Sequence, residues 1–345
     1  MTKKVLAMLA FALTTLNANA QAKEWFQNVK FSGYGMLQFQ AQDKKEAESN
    51  SFNLRLARMA LEGRAHQDFY WKVQMQINGT TKEDASAIRL VDLFGEWQKY
   101  EFFKVKVGQF KRPFTFENPM HPITQGFMSY SQPISKLAGF SDRTGEQASN
   151  GRDIGLQIQG DFLKLDGRNL LHYQIGVFNG QGINLKDGDK KKDFIGGLWV
   201  MPIEGLRIGA FGWLGSRNDV VKRRYAISGE YSKDDWTFRS EYVHSYGEGK
   251  QVLAGNKADG FYALGIAPII KNKLHVKARY DMYRDEAGGD VHKTLYEIGA
   301  DYLFTKNLQI NLEYARVNEH ERNYTTMAIT KNNYNMVDLE LDIRF

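Results

Sequence analysis

The last nine residues of the chain, VDLELDIRF (337–345), alternate between apolar and charged side chains. The apolar positions are Val337, Leu339, Leu341, Ile343 and Phe345, and the charged positions between them are Asp338, Glu340, Asp342 and Arg344. Successive side chains of a strand point to opposite faces. The stretch therefore predicts a strand with one apolar and one charged face.

The same alternation recurs from residue 29 onward, in roughly sixteen segments of about 10 to 14 residues. Residues 102–109 and 274–280, for example, place valines opposite lysines. The connections between segments alternate between short ones, such as 67–68 and 305–306, and long ones, such as 41–51 and 319–332. Antiparallel transmembrane barrels have this asymmetry, with short turns at one end and longer loops at the other.

Composition excludes several protein classes. The chain has no cysteine, which excludes disulfides and a thiol nucleophile. Hydrophobic residues make up 42% and aromatic residues 13%, which is too much for a disordered chain. Beyond the first 20 residues no apolar run reaches the roughly 18 residues of a membrane-spanning helix, so a polytopic helical membrane protein is excluded.

The first residues have the pattern of a secretory signal peptide. Lys3 and Lys4 precede an apolar stretch that ends in small residues, with cleavage expected after Ala20 or Ala22. We therefore expect residues 1–20 to direct export, and residues 21–345 to form a single barrel domain in the outer membrane of a bacterium.

The expected fold class is all-β, a transmembrane antiparallel barrel of about sixteen strands. In hydrocarbon every backbone N–H and C=O must be paired, and only helices and closed sheets achieve this. Tryptophan and tyrosine recur near the ends of the predicted strands, where they suit the membrane interface. A barrel of sixteen strands is too wide to be filled by side chains, so it predicts a water-filled channel for small solutes.

One connection, residues 111–150, is much longer than the others. It holds four of the six prolines, which are excluded from central strands. It is also rich in phenylalanine and methionine, so we expect it to fold against the rest of the protein rather than extend into water. A long loop in a compact fold is usually functional.

Several motifs resemble the phosphate-selective porin O and P family. They are VGQFKRPF (107–114), NLRLAR (53–58) with Glu62-Gly63, and RDIG (152–155). The resemblance implies a trimeric barrel of sixteen strands, a third long loop folded inward to narrow the pore, and a preference for anions such as phosphate. The terminal Phe345 resembles the signal by which the outer-membrane assembly machinery recognises its substrates.

An anion channel needs basic side chains at its narrow point. Residues 104–152 contain seven basic and three acidic residues, and the arginines suit phosphate because their planar fork donates paired hydrogen bonds. The candidate residues for anion selectivity are Arg55, Arg58, Lys104, Lys106, Lys111, Arg112, Lys136, Arg143 and Arg152. The competing interpretation is that these are wall charges paired with acids such as Asp92 and Glu96.

Other functions stay open at this point. The channel could carry a different small solute, such as an organic acid or a sugar. A barrel enzyme would need a nucleophile placed with histidine, but the seven histidines are scattered and no HExxH or GxSxG motif occurs. An exported adhesin or glycan-binding protein is a further alternative. We expect no catalytic residue, cofactor, metal site or nucleic-acid partner, and contact with outer-membrane lipid and lipopolysaccharide.

Overall fold

The computed structural model describes residues 27–78, 88–143, 149–217, 220–247 and 256–345. The predicted signal peptide lies outside these residues. The strands are β1 (Gln27–Gln42), β2 (Ser49–His66), β3 (Phe69–Gln76), β4 (Arg89–Tyr100), β5 (Phe103–Lys111), β6 (Arg152–Leu165), β7 (Arg168–Phe178), β8 (Asp193–Val200), β9 (Leu206–Arg217), β10 (Val220–Lys233), β11 (Trp236–Tyr246), β12 (Lys257–Ile270), β13 (Leu274–Arg284), β14 (His292–Thr305), β15 (Leu308–Arg322) and β16 (Ile329–Arg344), with one helix, α1 (Gln132–Leu137), between β5 and β6.

The strands form one closed antiparallel barrel, as the sequence predicts. Each strand pairs with its neighbours in chain order, and β1 pairs with β16 to close the cylinder. Phe345 completes this seam, since Gly33 and Phe345 exchange backbone hydrogen bonds of 2.8 and 3.0 Å. The Phe345 ring lies over Gly33, where a Cβ atom would come within 2.4 Å of it, so a larger residue at this position would displace the ring.

The two faces of the sheet differ as the alternation predicts. In β16 the side chains of Asp338, Glu340 and Asp342 are buried on the inner face, while Leu339 and Ile343 are exposed on the outer face. An apolar outer face is what a barrel surrounded by lipid requires. In the part of the chain that the structure describes, no helix has the length and apolar character needed to cross a bilayer.

The connections follow the predicted asymmetry with one exception. Tight turns join β2 to β3 and β14 to β15 at one end of the barrel, and longer segments join β1 to β2 and β15 to β16 at the other. The expectation of long connections at that second end is wrong for β9 and β10, because β9 ends at Arg217 and β10 begins at Val220.

The long connection begins and ends one residue later than predicted, and it contains a helix. Lys111 belongs to β5, where it pairs with Arg152 at the start of β6. Helix α1 begins with Pro133 in its first turn, where the missing N–H costs no intrahelical hydrogen bond. We call residues 112–151 the inner loop, because its side chains pack into the barrel interior.

Candidate functional site

Aromatic side chains fix the first part of the inner loop against the barrel wall. Phe114 packs edge-on against Trp213 of β9, with ring centroids 5.5 Å apart. Phe116 packs in the same way against Phe211, at 5.4 Å. All four rings are buried. Burial of such rings is worth several kcal/mol, which explains why this apolar segment lies inside rather than outside the barrel.

Carboxylates of the wall hold the backbone of the inner loop. Glu241 of β11 accepts hydrogen bonds from the backbone N–H groups of Phe116 and Glu117, at 2.7 and 2.8 Å. Asp281 of β13 and Glu313 of β15 accept from other N–H groups of the loop. Loop N–H groups have no strand partner, so inward-facing carboxylates satisfy them.

Wall cations complete the attachment. Arg224 of β10 forms a buried two-pronged pair with Asp142 of the loop, at 2.6 and 2.7 Å. Arg279 of β13 donates to the carbonyl oxygen of Ser129 at 2.8 Å. The attachments on the wall come from β10, β11, β13 and β15, so the loop lies against this half of the barrel.

A cavity of about 390 Å³ remains between the inner loop and the opposite half of the wall. Its wall side comes from β2 to β7, and its loop side includes Pro119, Met120 and His121. Its charged lining residues are Arg58, Lys72, Lys106, Lys111, Arg112 and Arg152, against the single carboxylate of Asp92. The charged residues that line this cavity are therefore mainly basic.

Two arginines, Arg58 of the cavity lining and Arg89 of β4, have no carboxylate partner among the described residues. Arg58, which is 3% exposed, donates only to neutral groups, the Gln76 side-chain oxygen and the Tyr34 hydroxyl. Arg89 has a buried Nε–H without a hydrogen-bond acceptor in the described chain. Gln76 pairs with Arg58 on one side and with Arg89 on the other, so the two arginines lie two strands apart, about 10 Å.

Lys111 is a third cation without an acid in the described residues. Its Nζ donates to the carbonyl oxygens of Asn118 and Met120, at 2.6 and 2.9 Å, and to the Tyr130 hydroxyl at 2.6 Å. All three acceptors belong to the inner loop. Lys111 thus ties the loop to the end of β5 through three neutral acceptors.

The other basic lining residues are paired. Arg152 forms a two-pronged pair with Asp92, at 2.6 and 3.0 Å. Lys106 lies 3.5 Å from Glu96, and Lys72 lies 3.8 Å from Glu62. Arg112 is fully buried against Asp153 at 2.9 Å. These pairs lower the net charge that a passing ion would meet, as the competing interpretation of the sequence anticipates.

The remaining sequence-predicted candidates are not among the residues that line the cavity. Arg55 pairs with Glu340 at 2.9 Å, and Lys104 pairs with Asp161 at 3.4 Å. Arg143 lies 3.2 Å from Asp285, and Lys136 is exposed on α1. The structure thus brings together five of the nine candidates around one space, namely Arg58, Lys106, Lys111, Arg112 and Arg152.

His121 of the inner loop adds no charge to the cavity at neutral pH. Burial lowers its pKa, the nearby positive charges of Arg58 and Lys111 act in the same direction, and together they bring it to about 4. Its ring meets that of Tyr34 edge-on, with centroids 4.5 Å apart.

The sequence matches the family model for Gram-negative porins over residues 6–322. The chain belongs to the Gram-negative porin family. This family and the closed barrel place the protein in the bacterial outer membrane, where it forms a channel, and they indicate a channel rather than an enzyme. No curated protein sequence matches the chain significantly.

Solved porin structures share the fold at low sequence identity. The anion-selective porin from Comamonas acidovorans superposes with a TM-score of 0.66 at 12% identity, covering 92% of this chain and 99% of that one. OmpF of Salmonella typhi, in complex with daunomycin, gives 0.67 at 13%, covering 92% and 97%. OmpT of Vibrio cholerae in its trimer form gives 0.58 at 15%, covering 92% and 99%.

Sequence reasoning missed Lys72 and Arg89 of this porin. Lys72 was detectable, because it shares the inward face of β3 with Gln74 and Gln76. Arg89 is the first residue of β4. At the first position of a strand, the alternation alone does not determine whether the side chain points inward or outward. The wall residues that hold the loop, such as Glu241 and Arg224, gave no sequence signal because their partners are more than 80 residues away.

We expect Arg112 of this porin to stabilise the folded barrel. Replacing it with methionine leaves the carboxylate of Asp153 buried without its cation, which costs about 3–5 kcal/mol. Urea unfolding in detergent micelles, followed by tryptophan fluorescence, should show this loss. The double variant Arg112→Met/Asp153→Leu should recover much of it; a single variant as stable as wild type would contradict the structural role.

Glu117 of the inner loop should make loop docking sensitive to pH. Burial raises the pKa of its carboxyl group; Arg239 and Arg279 oppose the rise, and Glu241 adds to it. One of its oxygens accepts from the Ser131 hydroxyl at 2.5 Å, and the other has no partner in the described chain. The docked loop therefore binds more protons than the released loop, so docking strengthens on acidification and weakens as pH rises from the ordinary to the raised pKa.

Current noise in planar bilayers measures this dependence. Wild-type noise should increase as pH rises through that interval, because the loop detaches more often. In the variant Glu117→Gln, which cannot ionise at this position, the current noise should change much less with pH. An equal pH dependence in both proteins would show that Glu117 is not the group responsible.

Proposed function

We propose that this porin is an anion-preferring diffusion channel and that its filter is the cavity beside the inner loop. The observation that carries the proposal is the absence of any carboxylate partner for Arg58 and Arg89 within the described residues. Charges that are not neutralised in a narrow, partly apolar passage attract counter-ions and repel ions of like sign.

Phosphate is the proposed principal anion. Arginine offers a planar fork that matches phosphate oxygens, and Arg58 has N–H groups beyond those given to Gln76 and Tyr34. The motifs that resemble the phosphate-selective porin O and P family point to the same solute. The anion-selective porin from Comamonas acidovorans, which has the same fold, is a further consistent observation.

The chain is further proposed to act as a homotrimer that contacts outer-membrane lipid and lipopolysaccharide. The apolar outer face fits lipid contact, and OmpT of Vibrio cholerae, with the same fold, is described in a trimer form. Recognition of Phe345 by the outer-membrane assembly machinery is part of the same proposal. Mass measurement in detergent should give three chains per particle, whereas a monomer would contradict the assembly.

Addition of candidate solutes to a conducting bilayer separates phosphate from the alternative cargoes. With chloride carrying the current, phosphate should reduce conductance at concentrations where acetate and glucose have little effect, because it occupies the arginine region longer than chloride. A stronger effect of acetate would favour an organic acid, and a stronger effect of glucose would favour a sugar. Either result would overturn the phosphate proposal.

A further inference from the structure

Two histidines stand side by side on the outer face of the barrel, away from the channel. His292 begins β14 and His320 lies near the end of β15, and the two are direct cross-strand partners. Their ring centroids are 4.2 Å apart. His292 shares its strand face with the exposed residues Tyr296 and Ile298, so the pair faces outward at the end that carries the long connections.

One backbone carbonyl orients both rings. The Nδ1 atoms of His292 and His320 lie 3.0 and 3.2 Å from the carbonyl oxygen of Asp290. A carbonyl oxygen only accepts hydrogen bonds, so each Nδ1 carries the hydrogen in these contacts. Each Nε2 then keeps its lone pair. Histidines that bind metals have this arrangement, in which the ring nitrogen away from the metal donates to a carbonyl or carboxylate.

The basic cross-strand partners of the two histidines leave room for an added positive ion. Arg284 is the cross-strand partner of His292 on β13, but its guanidinium is bound to Asp259 by two contacts of 2.8 and 2.5 Å. Lys331 is the partner of His320 on β16, and it is exposed, so its ammonium group can turn into solvent. Neither side chain forms a hydrogen bond with either imidazole in the described chain.

We propose that His292 and His320 form a binding site for a divalent transition-metal ion, with the two Nε2 atoms as ligands and water in the other positions. Imidazole nitrogen suits Cu²⁺, Ni²⁺ and Zn²⁺, whereas Ca²⁺ and Mg²⁺ prefer oxygen ligands. Two nitrogens bound at about 2.0–2.1 Å must approach each other closely, which neighbouring rings on paired strands can do. Among these ions, Cu²⁺ should bind most tightly.

Calorimetric titration of the tag-free barrel in detergent with NiCl₂ tests the site. Wild type should bind one ion per chain, and acidification should weaken binding because protons compete for the imidazoles. His292→Gln and His320→Gln should each lower the affinity at least by the roughly 10- to 100-fold that loss of an outer-shell partner costs. The control is His244→Gln, another outward-facing histidine at this end, whose ring stacks on Tyr225. It should leave binding unchanged.

Copper paramagnetic resonance on wild type gives a test that does not depend on the folding of variants. One equivalent of Cu²⁺ should show hyperfine coupling to two imidazole nitrogens. Coupling to no nitrogen, or nickel binding that persists in the double variant His292→Gln/His320→Gln, would overturn the site.

Discussion

Replacing both Arg58 and Arg89 with glutamine is expected to remove most of the anion preference of this porin. A unit charge about 5 Å from a passing ion in watery surroundings changes its energy by about 0.8 kcal/mol, or roughly fourfold in relative permeability. Two such charges give a combined effect of about tenfold once salt screening is allowed for. The reversal potential of single channels under a KCl gradient measures the change.

Two controls separate charge from shape in this experiment. Arg58→Lys with Arg89→Lys keeps both charges and should preserve chloride preference. Arg316→Gln removes an equal charge from the exposed outer face of β15 and should leave the reversal potential unchanged. If the double glutamine variant kept the wild-type value, these arginines would not be the filter.

Replacing Glu241 with alanine is expected to release the inner loop and widen the channel. The change removes the acceptor for the backbone N–H groups of Phe116 and Glu117. It also removes the acceptor for the Tyr262 hydroxyl, at 2.7 Å. Three buried donors left unsatisfied cost about 3–9 kcal/mol together. Single-channel conductance should rise and current noise should increase, because the first part of the loop is no longer held against β11.

Glu340→Ala is the matched control for this prediction. Glu340 is also a buried, inward-facing carboxylate, but its partner is Arg55 of β2 rather than the loop. It should change conductance much less than Glu241→Ala. A conductance for Glu241→Ala equal to that of wild type would mean that the carboxylate does not control the width of the passage.

The barrel could be predicted from the sequence because each strand is identified by a local pattern, the alternation of apolar and polar side chains. The alternation in 337–345 identifies a strand and its two faces without any knowledge of its neighbours. The turn lengths then give the order of strands, since consecutive antiparallel strands pair. The exception between β9 and β10 shows the limit, because nothing in the local pattern requires a connection to be long.

The position of the inner loop could be predicted only in part. Its prolines and aromatic residues exclude a strand and indicate packing, but they do not say against which wall. The pair between Arg224 and Asp142 joins residues 82 positions apart, and the bonds from Glu241 join residues 124 and 125 positions apart. Such contacts depend on barrel closure, which one strand's pattern does not encode.

The selection of filter residues depends on pairing for the same reason. Lys104 and Lys106 lie on the same face of β5 and have equal standing in the sequence. In the structure both are paired, Lys106 with Glu96 and Lys104 with Asp161, and of the two only Lys106 lines the cavity. Arg58 and Arg152 both line the cavity, but of the two only Arg152 has an acidic partner, Asp92, among the described residues. Strand register decides which basic side chain lies next to an acid. The local sequence pattern does not give the register, so it does not distinguish these residues.

We propose that the passage between the inner loop and β2 to β7 carries a net positive charge that favours anions. The most direct measurement is the zero-current potential of the purified wild-type porin in a planar bilayer between two KCl concentrations. We expect the potential to take the sign set by chloride, with a chloride permeability several times that of potassium. A potential of the opposite sign, set by potassium, would contradict the account.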